Sequence, residues 1–544
     1  MRIKLVNAIF DKVRMSEPIG LCYLAAVLRQ HHLPVELIDP RIRPYSVAET
    51  VDVLGRAPFD VLGISTFSFQ KQQLYDMIAL VRSRGFQGKI VVGGLGPTLC
   101  GEQYFRECPE IDLIVNGEGE LTFLELVQAF QRELRGEAAS GAWKAISGIS
   151  YLDETGSLVT TAPRPRLRDL DTLPFMARDI LEQNIAKYGV DMVFAAILGG
   201  RGCQYNCSYC WIAAALNRQG GTRYRQRSVA RIVDEIEAIY TTYGVRRYSF
   251  EDDNFIVPGR RGLERAQEFR DQVKRRGLKI EFFFQTRPDT IRREVMEAYK
   301  EAGLAKLFIG IEAITEADTE LYNKRHSPLR IERALAVLRE LGYEPDVGRE
   351  NQGRVRFGYI TFHPLTTVNT VRASLNFFRK YNLTPKRFVK EMYLFEGDMD
   401  IKRAFESSGL ISSDGTHYSF KDPRVAIVYD HLMPFTQAVF QVREEIRSVE
   451  KHTFRKQVPK DAIGDLVQFR VALDRMIFDF SDSLLKIVDA EPHDLPEMRA
   501  RARAALDAEQ AQLSAYLEAN AVKERLYDAE RKYQVRKDMF DLYW

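Results

Sequence analysis

Short apolar runs alternate with amphipathic stretches through residues 1–135. Five runs predict β-strands: IKLVN (3–7), VELID (35–39), VLGIS (61–65), IVVGG (90–94) and LIVNG (113–117). Between them, LCYLAAVLRQ (21–30) and LYDMIALVRS (74–83) carry apolar residues at helical spacing. Strands that alternate with helices predict a parallel sheet covered on both faces, which binds ligands at the carboxyl ends of its strands.

Residues 136–190 have a different pattern. The stretch GISYLDETGSLVTTA (148–162) predicts a β-hairpin that turns at Asp153–Gly156. The proline- and charge-rich stretch PRPRLRDLDTLPF (163–175) predicts a linker packed on the outside of a domain.

Strand–helix alternation resumes after residue 190. Candidate strands lie at 194–198, 246–252, 279–285, 306–312, 355–362 and 387–395. Ser228 predicts the N-cap of a helix that ends at Gly244. Six strands are too few for a closed eight-stranded barrel, so the pattern predicts an open, partial one. From residue 399 the pattern is helical, and the tail from Leu495 predicts one long surface helix or a pair.

The expected fold class is therefore α/β with a helical end. It consists of an N-terminal Rossmann-like domain (1–135), a linker with a hairpin (136–190), a partial barrel (191–398) and a helical C-terminal domain (399–544). We expect the helical domain to close the mouth of the barrel and to contact substrate.

Composition narrows the class of protein. The 544 residues carry 78 lysines and arginines against 75 aspartates and glutamates, and a net charge of +3 gives no field suited to nucleic acid. No apolar run is long enough for a membrane span, and MRIKLVNAIF leads into a strand without a signal peptide. Six cysteines make no disulfide framework, which predicts a cytoplasmic protein.

Three cysteines share one short stretch, RGCQYNCSYC (201–210), at Cys203, Cys207 and Cys210. Disulfides use cysteines in pairs, and structural zinc takes four ligands, but the nearest histidine, His326, lies far along the chain. A 4Fe-4S cluster has an iron at each of four corners, so three thiolates leave one iron open to a substrate. The spacing therefore favours an iron–sulfur cluster held by one compact loop.

With Tyr209 before the last cysteine and the strand–helix array behind the loop, these residues resemble the radical S-adenosylmethionine (SAM) superfamily over about residues 193–395. The resemblance implies that the open iron chelates SAM and that an electron from the cluster splits SAM to a 5′-deoxyadenosyl radical. It implies SAM contacts at six positions: Tyr209, Asp252, Asp253, Gln285, Arg287 and Glu312.

Two stretches in this region also have simpler interpretations. The acidic turn Glu251–Phe255, taken alone, fits a surface turn capped by carboxylates. The stretch Tyr224–Ser228 resembles relatives as well, but its arginines fit packing or solvated groups as readily as ligands.

The N-terminal domain lacks both the dinucleotide fingerprint G-x-G-x-x-G and a Walker-type phosphate loop. It resembles instead the cobalamin-binding domain of one radical SAM subfamily, through Pro18–Leu21, Gly63–Ser65, Val92–Gly94 with Pro97 and Thr98, and Gly117–Glu120. The resemblance implies cobalamin contacts at the following residues: Gly20, Ser65, Thr66, Phe67, Phe69, Gly93, Gly94, Gly96, Pro97, Thr98, Gly117, Glu118, Gly119 and Glu120.

The expected cobalamin site has no histidine on cobalt. The D-x-H-x-x-G element that supplies this ligand elsewhere is absent, and His31 and His32 follow a helix outside that context. Relatives often have histidine where Gly96 stands. By resemblance, the dimethylbenzimidazole tail lies near Gly93 and Gly94, and the loop Thr66–Phe69 covers the lower face of the corrin.

Together these features resemble class B radical SAM methyltransferases. The resemblance implies that one SAM methylates cobalamin, that a second SAM generates the radical, and that methylcobalamin delivers the methyl group to an unactivated centre of a small-molecule or natural-product substrate. A flavodoxin- or ferredoxin-like reductant is implied. Tyr359, Phe362 and His363 are tentative substrate contacts, although Phe362 also fits a core position and His363 a loop cap.

Three alternatives stay open at this point. The first is cobalamin-assisted rearrangement or oxidation without methyl transfer. The second is a protein that binds or senses both cofactors without turnover. The third is radical chemistry on lipid or another scaffold with an empty N-terminal domain.

Overall fold

The computed structural model describes residues 1–10, 16–42, 45–67, 70–345, 353–395, 397, 399–412, 415, 417–453, 464–490, 494–522 and 524–526. All five predicted N-terminal strands are present: β1 (Ile3–Asn7), β2 (Val35–Ile38), β3 (Val61–Ser65), β4 (Lys89–Gly93) and β5 (Leu113–Val115). They pair in parallel in the order β2-β1-β3-β4-β5. The winding reverses between β1 and β3, where sheets of this kind bind ligands.

Five helices cover this sheet: α1 (Ile19–Gln30), α2 (Val47–Leu54), α3 (Lys71–Ser83), α4 (Leu95–Glu107) and α5 (Glu120–Leu134). Helices α1 and α5 pack over one apolar cluster, and α2 and α3 pack over another on the opposite face. The predicted hairpin forms β6 (Ile149–Leu152) and β7 (Leu158–Thr160). Because β6 pairs antiparallel with β5, the hairpin extends the sheet. Helix α6 (Asp179–Tyr188) then leads into the second half.

The second sheet is open and parallel, with six strands. These are β8 (Ala195–Ile197), β11 (Arg247–Phe250), β12 (Glu281–Thr286), β13 (Leu304–Glu312), β14 (Tyr343–Pro345) and β15 (Gly353–Tyr359). Their order is β14-β15-β13-β12-β11-β8, and within the described residues the two edge strands do not pair. The partial barrel is therefore confirmed.

Helices alternate with these strands on one face. They are α7 (Trp211–Gln219), α8 (Val229–Tyr243), α9 (Arg260–Arg275), α10 (Arg293–Glu301), α11 (Glu316–Leu321), α12 (Pro328–Glu340) and α13 (Val368–Lys380). As predicted, the Ser228 side chain caps α8, and Gly244 ends it with a left-handed φ. Aromatic side chains of the strands and helices, such as Phe282 and Phe269, interlock in the core between the two layers.

The sixth strand is not the one that the sequence predicts. Residues 387–395 form no strand; Pro385–Phe388 is a short helix, α14, and Glu391 makes a single β-bridge to Phe362. Thr384 and Pro385 begin that helix, because proline at the first helical position has no N–H to lose. The sixth strand is instead β14, which pairs with β15. The sequence pattern also missed a small antiparallel pair, β9 (Gly200–Gly202) and β10 (Tyr224–Gln226).

The C-terminal region is helical, as predicted. It contains α15 (Asp400–Glu406), α16 (Pro423–Thr453), α17 (Gly464–Asp489) and α18 (Leu495–Ala519). The three long helices pack on one another, and α17 also packs on α13 and α14 in the helical layer. This region also reaches the cysteine loop: the N–H of Ile401 donates to the carbonyl of Ser208, and Tyr209 packs against a cluster that contains Met399 and Phe405. Among the described helices, none is both long enough and apolar enough to span a bilayer.

Candidate active site

The three cysteines lie together on the loop that follows β8 and β9. Cys203 comes directly after β9, and Cys210 is the N-cap residue of α7. Burial raises the pKa of the Cys203 thiol to about 11 and that of the Cys210 thiol to about 12. Thiolates rather than thiols bind metal, so loading this loop with iron would displace protons.

The donor set suits a cluster better than a single ion. Over the part of the chain that the structure describes, no three histidine, cysteine or carboxylate side chains gather closely enough to hold one metal ion. A cubane cluster spreads its thiolate ligands over separate corners. The three thiols of the loop therefore fit the predicted 4Fe-4S cluster.

Residues after β13 hold this loop in place, and sequence reasoning missed them. The N–H of Ser208 donates to the carbonyl of Tyr322 at 3.1 Å. The side-chain amide of Asn323 donates to the carbonyl of Asn206 at 2.7 Å. These contacts join positions more than a hundred residues apart, which no local pattern could have shown.

Arg287 points at the cysteine loop, as its predicted role requires. Its Nη1 lies 3.4 Å from the Sγ of Cys207, and its guanidinium stacks over the ring of Tyr205 at 3.7 Å. Its Nε donates to Asp289 at 2.9 Å, and Nη2 donates to the carbonyl of Lys324. The fixed positive charge of Arg287 therefore lies beside Cys207, where it would balance part of the negative charge of a bound cluster.

The predicted acidic turn is buried rather than exposed. The Oδ2 of Asp252 accepts from the N–H of Gly199 at 2.8 Å, and Gln285 donates to the carbonyl of Asp252 at 2.8 Å. Burial raises the pKa of Asp252 to about 7 and that of Asp253 to about 6. The Oδ1 of Asp252 is buried without a hydrogen-bond partner. An orphaned acceptor of this kind fits the ammonium or a ribose hydroxyl of SAM.

Asparagine at Asp252 is expected to remove a pH dependence of stability. In the folded protein the Asp252 pKa is raised from 3.8 to about 7, so its contribution to stability is full below about pH 4 and is lost as the pH rises towards 7. A shift of about three pH units corresponds to about 4 kcal/mol. Melting temperatures of cofactor-free protein at about pH 5 and about pH 8 measure the effect. Asp507→Asn, on the exposed face of α18, is the control. An unchanged pH dependence in Asp252→Asn would contradict the assignment.

Glu312 ends β13 in a left-handed conformation, with φ of 65°. A non-glycine residue in that region of backbone space is strained, and such strain concentrates at functional sites. Its carboxylate lies over Gly310 and Gly358, where an added Cβ would come within 2.7 Å of Oε1. Buried Lys324 neutralises part of this charge from one side and donates to the carbonyl of Gly310 at 2.9 Å. Tyr209 is partly buried, and desolvation together with the charges of Glu312 and the neighbouring cysteines raises the pKa of its hydroxyl.

A cavity of about 410 Å³ lies between the carboxyl edge of the first sheet and the cysteine loop. Most of the predicted cobalamin residues line it: Gly20, Ser65, Gly93, Gly94, Thr98, Gly117, Glu118, Gly119 and Glu120. From the other side it is lined by residues of the second half, among them Gly200, Arg201, Gly202 and Asp253. The cavity is therefore the candidate cobalamin site, and it extends to residues that flank the cysteine loop.

The walls of this cavity fit a wide, flat ring. Gly94 has a φ of 108°, and a Cβ there would lie 2.6 Å from the carbonyl oxygen of Thr66, so only glycine allows this close approach. At Gly20 an added Cβ would meet no atom within 4 Å, which leaves space on the cavity side. Backbone therefore forms much of the wall, as a corrin requires.

Four other predicted cobalamin residues, which the structure describes, do not line the cavity. Thr66 is buried and donates its N–H to the carbonyl of Gly93 at 3.1 Å. Gly96 and Pro97 are buried in the first turn of α4. Phe67 stacks on Trp211 at 5.2 Å between ring centroids, rather than facing the cavity. Phe69 lies outside the described residues.

Glu118 and Glu120 line the cavity and also form ion pairs with arginines of the second half of the chain. Glu118 accepts from Arg225 at 2.9 Å, and Glu120 accepts from Arg201 at 2.5 Å. Burial favours the neutral acid, but the hydrogen bond from Arg225 and the charges of both arginines hold the Glu118 pKa below its usual value. Of the two arginines left open by the sequence, Arg225 is thus the ion-pair partner of Glu118, and Arg227 pairs with Glu235. Arg201 and Arg225 tie the glycine-rich loop to the β9–β10 pair, and β9 leads into Cys203.

The tentative substrate residues lie away from the cavity. Tyr359 is buried, with its hydroxyl 2.7 Å from Ser374 on α13. Phe362 is fully buried against Tyr429. His363 is buried with Nε2 3.1 Å from Asp318. The role of these three residues as substrate contacts stays a prediction: Tyr359 points towards the helices, and all three side chains are buried away from the residues that line the cavity.

Comparisons with known proteins agree with this geometry. The model of the radical SAM superfamily matches residues 197–351, and that of the B12 binding domain matches residues 14–127. An uncharacterized methyltransferase of Pyrococcus horikoshii is 29% identical over 374 residues, which are 68% of this chain and 75% of the relative. An anaerobic magnesium-protoporphyrin IX monomethyl ester cyclase of Cereibacter sphaeroides is 28% identical over 256 residues, 46% of this chain and 39% of the relative.

The solved structure of OxsB, a cobalamin-dependent SAM radical enzyme with aqua-cobalamin bound, superimposes with a TM-score of 0.77 at 18% identity, covering 98% of this chain and 84% of OxsB. At that identity the likeness concerns the fold. The site and the two matched domains together define a radical SAM enzyme. The matched domains are those of cobalamin-dependent radical SAM enzymes, and they imply a 4Fe-4S cluster, SAM and cobalamin as cofactors.

Proposed function

We propose that the protein transfers a methyl group from SAM, by way of cobalamin, to an unactivated centre of a small-molecule or natural-product substrate. The single observation that carries this proposal is the cavity lined on one side by glycines at the carboxyl ends of the first-sheet strands and on the other by residues that flank the cysteine loop, such as Gly202 and Ile212. A substrate between the two cofactors would be open to both.

When bound, the cluster supplies the electron that cleaves SAM, and cobalamin carries the methyl group. The chain's own residues bind and orient. The orphaned Oδ1 of Asp252 accepts a hydrogen bond from SAM, and Arg287 keeps a positive charge beside Cys207. The Glu118–Arg225 pair fixes the glycine-rich loop against the second half, so both cofactors keep one relative position.

The likeness to the Pyrococcus methyltransferase supports methyl transfer. A second candidate, cobalamin-assisted rearrangement or oxidation without methyl transfer, is favoured by the likeness to the Cereibacter cyclase. The B12-binding match and the glycine-lined cavity both argue against the alternative in which the N-terminal domain is empty. We also propose a flavodoxin- or ferredoxin-like electron donor and a cytoplasmic location.

Reduced enzyme, loaded with all cofactors but given no substrate, tests the proposal. Methyl transfer predicts about one S-adenosylhomocysteine per bound cobalamin, and none from protein prepared without cobalamin. With substrate and methyl-deuterated SAM, the label is expected in the product. Formation of 5′-deoxyadenosine without S-adenosylhomocysteine would reject methyl transfer in favour of the second candidate. Failure to form either product would favour a binding or sensing role.

A further inference from the structure

The turn Asn323–Arg325, which contacts the cysteine loop, has a strained backbone on both sides of one lysine. Asn323 and Arg325 have left-handed φ angles of 50° and 54°. Residues other than glycine stay in that region only where the surrounding structure holds them there, and such strain concentrates at functional sites. The residue between these two, Lys324, is therefore a candidate for a role in the chemistry of the loop.

The side chain of Lys324 is a buried cation, with 3% of the residue exposed. Among the described residues its ammonium makes one hydrogen bond, to the carbonyl oxygen of Gly310 at 2.9 Å. An ammonium carries three donors, and a carbonyl group has no net charge. Because buried charges are normally paired, Lys324 requires a negative neighbour.

Glu312 is one such neighbour. A Cβ on Gly310 would lie 2.7 Å from the Oε1 of Glu312 and 3.4 Å from the Nζ of Lys324, so the two charged groups share one side of this glycine. Burial nevertheless lowers the pKa of Lys324, although the charge of Glu312 opposes this. Within the chain alone, Glu312 therefore does not fully offset the cost of burying the ammonium.

The ammonium also lies next to the cysteine loop. Its Nζ is 6.0 Å from the ring centroid of Tyr209. The backbone carbonyl of Lys324 accepts a hydrogen bond from Arg287, whose Nη1 lies 3.4 Å from the Sγ of Cys207. Arg287 is paired with Asp289 at 2.9 Å, whereas the hydrogen-bond partner of the Lys324 ammonium is neutral. A negatively charged cluster on this loop would supply the compensation that Lys324 lacks.

We propose that Lys324 stabilises the reduced state of the bound 4Fe-4S cluster and thereby raises its reduction potential. Reduction adds one electron to the cluster, and the flavodoxin- or ferredoxin-like donor loses one electron. No bond forms or breaks, and no proton is required. A fixed positive charge in a buried site favours the more negative of two states. The inference holds for either candidate function, because both need a reduced cluster to cleave SAM.

Potentiometric titration of enzyme loaded with cluster and cobalamin, but without SAM, tests the inference through the electron paramagnetic resonance signal of the reduced cluster. Lys324→Met is expected to make reduction at least about tenfold less favourable, a shift of about 59 mV to lower potential for one electron. Lys324→Gln keeps an N–H for the carbonyl of Gly310 but loses the charge, so its potential should fall in the same way. Lys324→Arg keeps the charge and should stay close to the parent.

Lys300→Met is the matched control. Lys300 also donates to a backbone carbonyl, that of Leu341 at 2.7 Å, but its side chain is exposed. It lies near the end of α10, which leads into β13 at the edge of the sheet opposite the cysteine loop. Its replacement is expected to leave the potential unchanged.

Iron content per chain shows whether each variant holds its cluster. An unchanged potential in Lys324→Met with iron retained would overturn the inference. A potential in Lys324→Gln equal to that of the parent would also overturn it, because a hydrogen bond rather than the charge would then be responsible. Loss of iron from both uncharged variants would mean that Lys324 holds the loop itself. Since the titration uses neither SAM nor substrate, its outcome is independent of the methyl-transfer proposal.

Discussion

Alanine at Cys203, Cys207 and Cys210 together is expected to remove iron and sulfide almost completely and to abolish turnover, while cobalamin stays bound. Enzyme produced without oxygen and supplied with cobalamin should carry about four irons and one cobalamin per chain. The cysteine loop holds three of the six cysteines of the chain, whereas the cobalamin wall is built on a sheet that has its own two apolar clusters. Iron, sulfide and cobalamin per chain are the measurements.

The remaining cysteines supply the control. Cys100→Ala with Cys108→Ala removes two thiols from the first half of the chain, and it is expected to leave the iron content unchanged. Iron retained in the triple variant would reject the assignment of the cluster loop. Loss of cobalamin together with iron would show that the two sites are not independent. Leu216 of α7 lines the cobalamin cavity and Cys210 caps that helix, so such coupling would run through α7.

Local patterns predicted most of the fold, because apolar runs and helix caps are local properties. The five parallel strands and the hairpin of the first sheet, and five of the six strands in the second, lie where the sequence placed them. The failure at residues 387–395 has a physical cause. An apolar run indicates that a segment is buried, but the segment becomes a strand only where it pairs with a neighbouring strand. In this segment Glu391 forms a single β-bridge.

The site residues likewise fall into those that local motifs predicted and those that they did not. The spacing of the cysteines and the glycines at the carboxyl ends of the first-sheet strands belong to short sequence motifs, so both were predicted. Glu118 pairs with Arg225 from 107 positions away, and Arg287 contacts Cys207 from 80 positions away. Long-range ion pairs of this kind leave no trace in one sequence, and the roles of Lys324 and Trp211 were missed for the same reason.

Methionine at Arg178 is expected to destabilise the folded protein by about 3–5 kcal/mol. Arg178 is buried between two carboxylates, donating to Glu17 at 2.8 Å and to Glu235 at 2.7 Å. Glu17 precedes α1 of the first sheet, and its Oε2 also accepts from the N–H of Ala196 in the second sheet. Glu17 therefore joins the two halves of the chain, and Arg178 neutralises its buried charge. Removal of the arginine leaves the Glu17 carboxylate uncompensated.

The loss should depend on pH with a definite sign. Burial raises the pKa of Glu17, and the charge of Arg178 opposes this. Without the arginine the pKa of Glu17 rises further. A raised carboxyl pKa gives stability that is complete below about pH 4.5 and is lost as the pH rises through the folded value. The free energy of unfolding of Arg178→Met, measured by urea denaturation, should therefore fall further below the parent at about pH 8 than at about pH 5.5.

Arg29→Met is the matched control for this prediction. Arg29 pairs on the surface at 2.6 Å with Asp179, which directly follows Arg178 in the chain. An exposed pair contributes at most about 1 kcal/mol, so its removal should cost little at either pH. Glu17→Gln placed in the Arg178→Met background removes the carboxylate that titrates, and it should abolish the added pH dependence. Equal losses in Arg178→Met and Arg29→Met, or a loss unaffected by Glu17→Gln, would mean that the buried charges do not hold the two halves together, and that the apolar contacts around them do.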